Sequence, residues 1–252
     1  MTEMFYSQFG EDRLLAQIFD DVREGLCVEV GANDGVNDSN TYYFEQIGWD
    51  CILVEPNPEL CRGIREKRNS RLFECAVSSQ PGTAVLNVAD GPGRAHGVSS
   101  LGESAAAKSR IAAFGFKSRE LTVPTRTLDD ILLEARVQQG VNFVSIDVEG
   151  HELEVLKGFS LSKWKPVIVI LEDNSNCEDQ TVTEYLRRFG YVPFRRTGVN
   201  DWYGHRSDRR VISMQALLGW RLAALRERLR SRARKIPGAT RVVRLLRRMR
   251  RR

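Results

Sequence analysis

Short, mostly apolar runs alternate along the chain with stretches of helical periodicity. Residues 26–31 (LCVEVG) end in a glycine, 51–54 (CILV) end at Glu55-Pro56, and 72–77 form a third run. Residues 143–146 (FVSI) and 167–171 (VIVIL) are the most strand-like. Runs this short with no polar alternate face predict strands buried on both sides. Between them, 57–68 predicts a helix with Pro58 at its start, where a missing N–H is harmless. Residues 127–136 place Leu128, Ile131, Leu132 and Ala135 on one helical face, with Thr127 as N-cap and Asp129-Asp130 in the first turn. A helix over 178–189 leads to two further strand candidates, 191–195 and 202–204. Near the N-terminus, Ser7 is a candidate N-cap for a helix whose apolar face is Leu14, Leu15 and Ile18; Gln8 and Glu11 are alternatively residues that cap a ligand pocket. The alternation predicts an α/β fold, a mostly parallel central sheet with helices on both faces.

Residues 79–125 break the alternation with Gly82, Gly91, Pro92, Gly93, Gly97 and Ser99-Ser100. An insertion of this length in such a domain is expected to cover a site. The main domain is expected over 1–212, followed by a basic tail over 213–252. The net charge of +5 conceals that division. From Ser213 onward there are fourteen basic residues and one acid, Glu227, a net charge of +13, which leaves −8 for the rest. In the tail, Met214, Leu218, Leu222, Leu225, Leu229 and Ile236 share a helical stripe, with Arg226, Arg230 and Arg234 off it. After Pro237-Gly238 a shorter stripe follows: Val242, Leu245, Leu246 and Met249. With Trp220, the pattern fits an anionic membrane surface, or packing against the acidic body or another subunit. Nucleic acid fits less well, because the leucines have no use in tracking phosphates.

Composition narrows the class. Over 252 residues, 42% hydrophobic and 28% charged content permits a buried core and argues against a mainly disordered chain. The longest aliphatic run, five residues, is far short of the ~20 that span a bilayer. The first twelve residues lack the basic and apolar regions of a secretory signal. The five cysteines form no C-x-x-C pair. A disulfide scaffold or structural zinc is therefore not expected, and a cytoplasmic setting is.

Three loops carry candidate chemistry. Glu29, Gly31, Asn33 and Gly35 lie at the exit of the first strand. The glycines suit a sharp turn or close ligand approach, but Asn33 replaces the middle glycine of a dinucleotide fingerprint. Glu29 suits an ammonium group better than a pyrophosphate. Glu55, 24 positions after Gly31, ends the second strand, where an acid accepts both ribose hydroxyls of an adenosine ligand. Together they describe a pocket for a cationic adenosyl amino acid, S-adenosylmethionine. At the fourth strand's exit, Asp147, Glu149 and His151 point to one face if the chain stays extended. They suit a general base or a divalent metal; the bland alternative is an ordinary helix start.

Further motifs extend the pattern: SQFGED (7–12), VGANDG (30–35), NTYYFE (40–45), Gly48-Trp49, VEPNP (54–58), Ala76-Val77-Ser78, Ser99-Ser100-Leu101, and IDVEGHE (146–152) with VLKG (155–158). In this order and spacing the chain resembles the FkbM-type S-adenosylmethionine-dependent methyltransferases over about residues 6–205. The resemblance implies a Rossmann-like class I fold and methyl transfer to a hydroxyl of a sugar, glycan or secondary-metabolite acceptor. It implies Gly31, Asn33 and Gly35 near the methionine part, Glu55 on the ribose, and Ala76, Val77 and Ser78 by the adenine. The arginine-rich tail departs from the family pattern. His151 is the first candidate for the base and Asp147 the second, since a neutral imidazole suits proton removal near pH 7. Ser99, Ser100 and His96 are candidates for acceptor contact. Two rivals remain: a membrane-associated binding protein that kept the fold without catalysis, and a nucleotide-dependent oxidoreductase, against which Asn33 and Glu29 count.

Overall fold

The computed structural model describes residues 4–91, 97, 99–102, 111–138 and 140–235. Its strands are β1 (Leu26–Val30), β2 (Asp50–Val54), β3 (Arg71–Phe73), β4 (Ala76–Val77), β5 (Gly82–Asp90), β6 (Ser100–Leu101), β7 (Lys117–Arg126), β8 (Phe143–Ile146), β9 (Ile168–Glu172), β10 (Tyr191–Thr197) and β11 (Asn200–His205). The helices are α1 (Glu11–Ile18), α2 (Tyr42–Gln46), α3 (Pro58–Lys67), α4 (Leu128–Glu134), α5 (Glu152–Lys157), α6 (Leu161–Trp164), α7 (Thr181–Arg188) and α8 (Met214–Lys235).

Seven strands form the main sheet in the order β10-β11-β9-β8-β1-β2-β3. Strands β9, β8, β1, β2 and β3 run parallel, while β11 pairs antiparallel with both β9 and β10. Side chains of a strand alternate between its two faces, so each apolar run feeds two cores. Val28, Val30, Ile52, Val144 and Val169 meet Leu128, Ile131 and Leu132 of α4, Val155 and Leu156 of α5, and Leu186 of α7. On the other face Cys27, Cys51, Phe143 and Ile170 meet Leu15 of α1, Tyr43 and Phe44 of α2, and Trp49 and Trp202. Helices thus cover both faces, as the doubly apolar strands require. All five cysteines are buried and unpaired.

Side chains cap two helices, Thr127 as the sequence predicts and Asn57 in addition. Asn57 Oδ1 accepts from the Glu59 N–H at 3.0 Å to start α3. Thr127 Oγ1 accepts from the Asp130 N–H at 3.0 Å to start α4. At α1 the N-cap is Gly10, at φ 82°, and not Ser7. Ser7 instead donates its hydroxyl to Asp12 Oδ1 at 2.6 Å.

The third apolar run is not one strand. Residues 71–73 pair with β2, and after Glu74 and Cys75 the chain leaves the sheet, so that Ala76 and Val77 pair with β7. This opens a second sheet, in the order β4-β7-β5-β6. Its centre is the antiparallel pair β5–β7, running from Gly82↔Thr125 to Asp90↔Lys117 around Leu86, Val88 and Val123. The described residues of the interrupting segment 79–125 thus centre on the antiparallel pair β5–β7.

Helix α8 lies against the body. Trp220 is buried and its Nε1–H donates to Asp201 Oδ1 at 2.8 Å. Trp220 and Ala224 pack on Cys177, and Arg228 Nε donates to the Cys177 carbonyl at 2.7 Å. Trp220 therefore faces the protein and does not extend the leucine stripe. Among the described residues no helix is long and apolar enough to cross a membrane. His96, Ile236 and the second stripe after Pro237-Gly238 lie outside the described residues.

Candidate active site

The exits of β1, β2, β8 and β9 surround one cavity of about 190 Å³. Glu29, Gly31, Asn33, Glu55, Ala76, Val77, Ser99, Ser100 and Asp147 all line it. A parallel sheet gathers loops at the C-terminal ends of its strands, which brings these distant residues together.

Glu55 is buried at the end of β2. Its Oε2 accepts from the Asn33 N–H and its Oε1 from the Asn57 N–H, each at 2.9 Å. A carboxylate has about four acceptor positions, so each oxygen keeps capacity toward the cavity. Burial pushes its pKa up to about 7, against which the two backbone N–H groups pull it down. Beside it, Asn57 spends its Oδ1 on the α3 cap, and its buried Nδ2 has no partner among the described residues. A buried donor without a partner is costly, and a ligand acceptor would satisfy it.

The Gly31 loop is shaped by backbone geometry. Gly31, Asn33 and Gly35 have φ of 85°, 50° and 76°. A Cβ on Gly31 would lie 1.8 Å from the Asp147 carbonyl oxygen, so the exits of β1 and β8 touch only because this residue is glycine. Gly35 does not itself line the cavity; it packs against Ile64 and Arg68 of the α3 region.

Glu29 borders the cavity but is heavily engaged. Ser39 Oγ and Thr41 Oγ1 donate to its Oε2 at 2.7 and 2.6 Å, and the Asn40 N–H donates to its Oε1 at 2.7 Å. Its first task is therefore to hold the 39–41 turn. A smaller cavity of about 40 Å³ adjoins there, lined by Gln8, Glu29, Asn40, Ser145 and Asp147 among others. Asn40 Oδ1 is buried there without a partner among the described residues. Gln8 reaches both cavities, whereas Glu11 is turned to β10 and β11, accepting from Thr197 Oγ1 at 2.6 Å and Asn200 Nδ2 at 3.0 Å.

Asp147, Glu149 and His151 do not share a face. The chain leaves β8 at Ile146, and Glu149 and Gly150 adopt φ of 58° and 102°, which ends the extended alternation. Glu172, at the end of β9, stands in the place expected for His151. Carboxylate oxygens of Asp147, Glu149 and Glu172 lie within 4.8 Å of one another, a hard-oxygen set of the kind that can hold a divalent cation. Asp147 is exposed to the cavity. Desolvation by the surrounding protein, then the carboxylates of Glu172, Glu152 and Glu29, raises its pKa well above the ordinary range.

His151 is the N-cap residue of α5 and is absent from the cavity lining. Its Nε2 lies 3.1 Å from Ser78 Oγ, and burial lowers its pKa. Ser78 is likewise behind the wall that Ala76 and Val77 form. Ser99 Oγ accepts from the Ala89 N–H at 3.0 Å and so braces the second sheet, where Ser100 is buried and pairs with Asn87.

Sequence reasoning missed Glu172, Asn57 and Arg68. Arg68 is buried, pairs with Glu45 at 2.9 Å, and donates to the Gly35 carbonyl and to Thr41 Oγ1. It thereby ties the Gly31–Thr41 loop to the end of α3. Its position as the last residue of the predicted helix 57–68 was the only available signal.

Fold and site together define a Rossmann-like class I methyltransferase. The Methyltransferase FkbM domain family matches residues 29–193, more than half of the chain, and the protein belongs to that family. It is 28% identical over 187 residues to the hexuronic acid methyltransferase AglP of Haloferax volcanii, covering 70% of this chain and 68% of that protein. Among solved structures, it resembles a precorrin-6y C5,15-methyltransferase from Geobacter metallireducens at 12% identity and a TM-score of 0.41, covering 81% of this chain and 89% of the other. It also resembles M. capricolum TrmK, solved with S-adenosyl-homocysteine, at 8% identity and a TM-score of 0.39, covering 89% of this chain and 88% of the other.

Proposed function

We propose that this methyltransferase moves the methyl group of S-adenosylmethionine to a hydroxyl oxygen of a sugar, with a hexuronic acid or a glycan that carries one as the favoured acceptor. The carrying observation is Glu55, a buried carboxylate with an acceptor position free on each oxygen, beside the unpartnered Nδ2 of Asn57. That pair suits a ribose with adjacent hydroxyls. The apolar walls at Ala76, Val77, Leu86 and Leu101 suit an adenine ring. Glu29 and the polar second cavity suit the amino-acid end. The name of the 28%-identical relative supports the acceptor class.

When bound, S-adenosylmethionine supplies a methyl group already activated by its sulfonium. What remains for the protein is placement, exclusion of water and removal of one proton. Asp147 is the preferred base, because its carboxylate lines the cavity and the His151 ring does not. As the acceptor oxygen takes the methyl group from the donor, its hydroxyl proton would pass to the Asp147 carboxylate. His151 is assigned to positioning Ser78 and the wall at 76–78. Of the interrupting segment, Leu86, Gly97 and Ser99 to Leu101 act as the cover at the cavity wall.

The test is methyl transfer to hexuronic acid glycosides by wild type, Asp147→Asn and His151→Ala. Loss of a general base lowers kcat by about 10²–10⁴-fold. Asp147→Asn is expected in that range, with cofactor affinity retained, and His151→Ala is expected to lose less than about tenfold. An Asp147→Asn enzyme with wild-type kcat removes Asp147 from this role.

A further inference from the structure

Helix α8 carries an apolar stripe that points away from the protein. Met214, Leu218, Leu222, Leu225 and Leu229 are each between 50 and 72% exposed. Their spacing places them on one side of the helix. The other side is already used. Trp220 and Ala224 are packed on Cys177, and Ser231 Oγ donates to Glu178 Oε1 at 3.0 Å. The helix is therefore docked with its leucines outward and has no rotation left that buries them. Five large apolar side chains in one exposed row mark an interaction surface.

Charge selects what covers it. At 3.6 residues per turn, Arg221 and Arg232 border one margin of the stripe and Arg226 and Arg230 the other. The only acid of the helix, Glu227, falls on the docked side and pairs with Arg230 at 3.1 Å. Beyond the helix, residues 236–252 add seven arginines and no acid. A second copy of the chain would set these arginine margins against each other, with no acid to answer them. A nucleic acid would answer the arginines and leave the leucines in water. An anionic bilayer surface answers both. Headgroups take the guanidinium groups, and the leucines enter the boundary between headgroups and acyl chains.

We infer that α8 is a membrane-surface docking element for anionic lipid, held on the methyltransferase body by Trp220 and inserting the stripe from Met214 to Leu229. This inference stands on α8 alone and does not depend on the acceptor.

The test is co-sedimentation of the full-length protein with vesicles of phosphatidylcholine and phosphatidylserine (7:3) and of pure phosphatidylcholine, in 0.1 M and 0.5 M NaCl. Binding is expected on the anionic vesicles at low salt, with at least a tenfold loss in Leu222→Glu/Leu225→Glu. Both positions are exposed, so the melting temperature of this variant is expected to match wild type; Leu222→Ser/Leu225→Ser serves if it does not. Four results would overturn the inference: no binding to anionic vesicles; equal binding to neutral ones; undiminished binding by both leucine variants; or a doubled solution mass that the leucine variants abolish. Tighter binding to an oligonucleotide, unchanged in those variants, would assign the surface to nucleic acid instead.

Discussion

Removing the Glu55 carboxylate should weaken S-adenosylmethionine binding by an amount that depends on pH. Hydrogen bonds to a charged group contribute about 1.5–3 kcal/mol each, so two to a ribose set a range of about 3–6 kcal/mol for Glu55→Ala. The upper half of that range is not expected, because the carboxylate must first be ionised in a buried site. With its pKa near 7, Glu55 is mostly protonated at pH 6 and mostly ionised at pH 8. If the ribose is held by the ionised form, affinity rises about tenfold from pH 6 to pH 8, following 1.36 kcal/mol per pKa unit. In the free protein the sign is opposite. The raised pKa contributes stability that is complete below the ordinary glutamate value, 4.5, and is lost as pH rises through 7. Cofactor and fold thus prefer different protonation states of one side chain. Titration calorimetry in two buffers of different ionisation heat measures both the affinity and the proton released on binding. Glu55→Gln removes the titration while keeping one acceptor for the Asn33 or Asn57 N–H, and its affinity is expected to be flat with pH. Wild-type affinity that is equal at pH 6 and pH 8, or a Glu55→Ala protein binding within twofold of wild type, would refute the assignment.

Two other perturbations probe the scaffold. Gly31→Ala places a Cβ against the Asp147 carbonyl and forces φ near 85°, a conformation that costs an L-residue about 1–2 kcal/mol before the clash is counted. Urea unfolding should show a loss above that range together with lost cofactor binding, and a variant of wild-type stability would contradict the contact between the β1 and β8 exits. Trp220→Ala removes the buried anchor of α8 and the donor to Asp201, a change of about 3–5 kcal/mol where burial is complete. Because the lost contacts belong to one helix, the clearer readout is trypsin cleavage at Arg221 to Arg232, expected to accelerate; unchanged protection would mean that other contacts hold the helix.

The parts of the fold that were legible are those in which one residue's environment depends on near neighbours. The runs at 26–31, 51–54, 143–146 and 167–171 read as strands because both faces are buried, so that Glu29 and Ser145 are isolated polar positions and no polar face alternates with the apolar one. Thr127 read as a cap because a cap acts within three residues. The β5–β7 hairpin was hidden for the opposite reason. Half of β7 is solvent-exposed, and its Lys117, Arg119 and Glu120 read as loop when the partner strand is unknown. The run at 72–77 misled because its apolar residues serve two different sheets on either side of Glu74, and composition does not record a change of partner.

The acidic end of the site shows where local reasoning stops. Alternation along a strand holds only while the backbone stays extended, and here it ends at Ile146, before the residues whose placement mattered. Two consecutive left-handed residues, Glu149 and Gly150, turn His151 toward Ser78 and away from the cavity. The carboxylate that takes its place, Glu172, lies at the end of the neighbouring parallel strand, where Ile146 pairs with Leu171 one residue before it. Parallel pairing therefore supplies the rule that spacing lacked: a residue just past the end of one strand meets the residue just past its registered partner. Applied to β1 and β2, where Val30 pairs with Val54, the same rule sets Gly31 beside Glu55. One register argument thus accounts both for the residues proposed to hold the cofactor and for those proposed to take the proton.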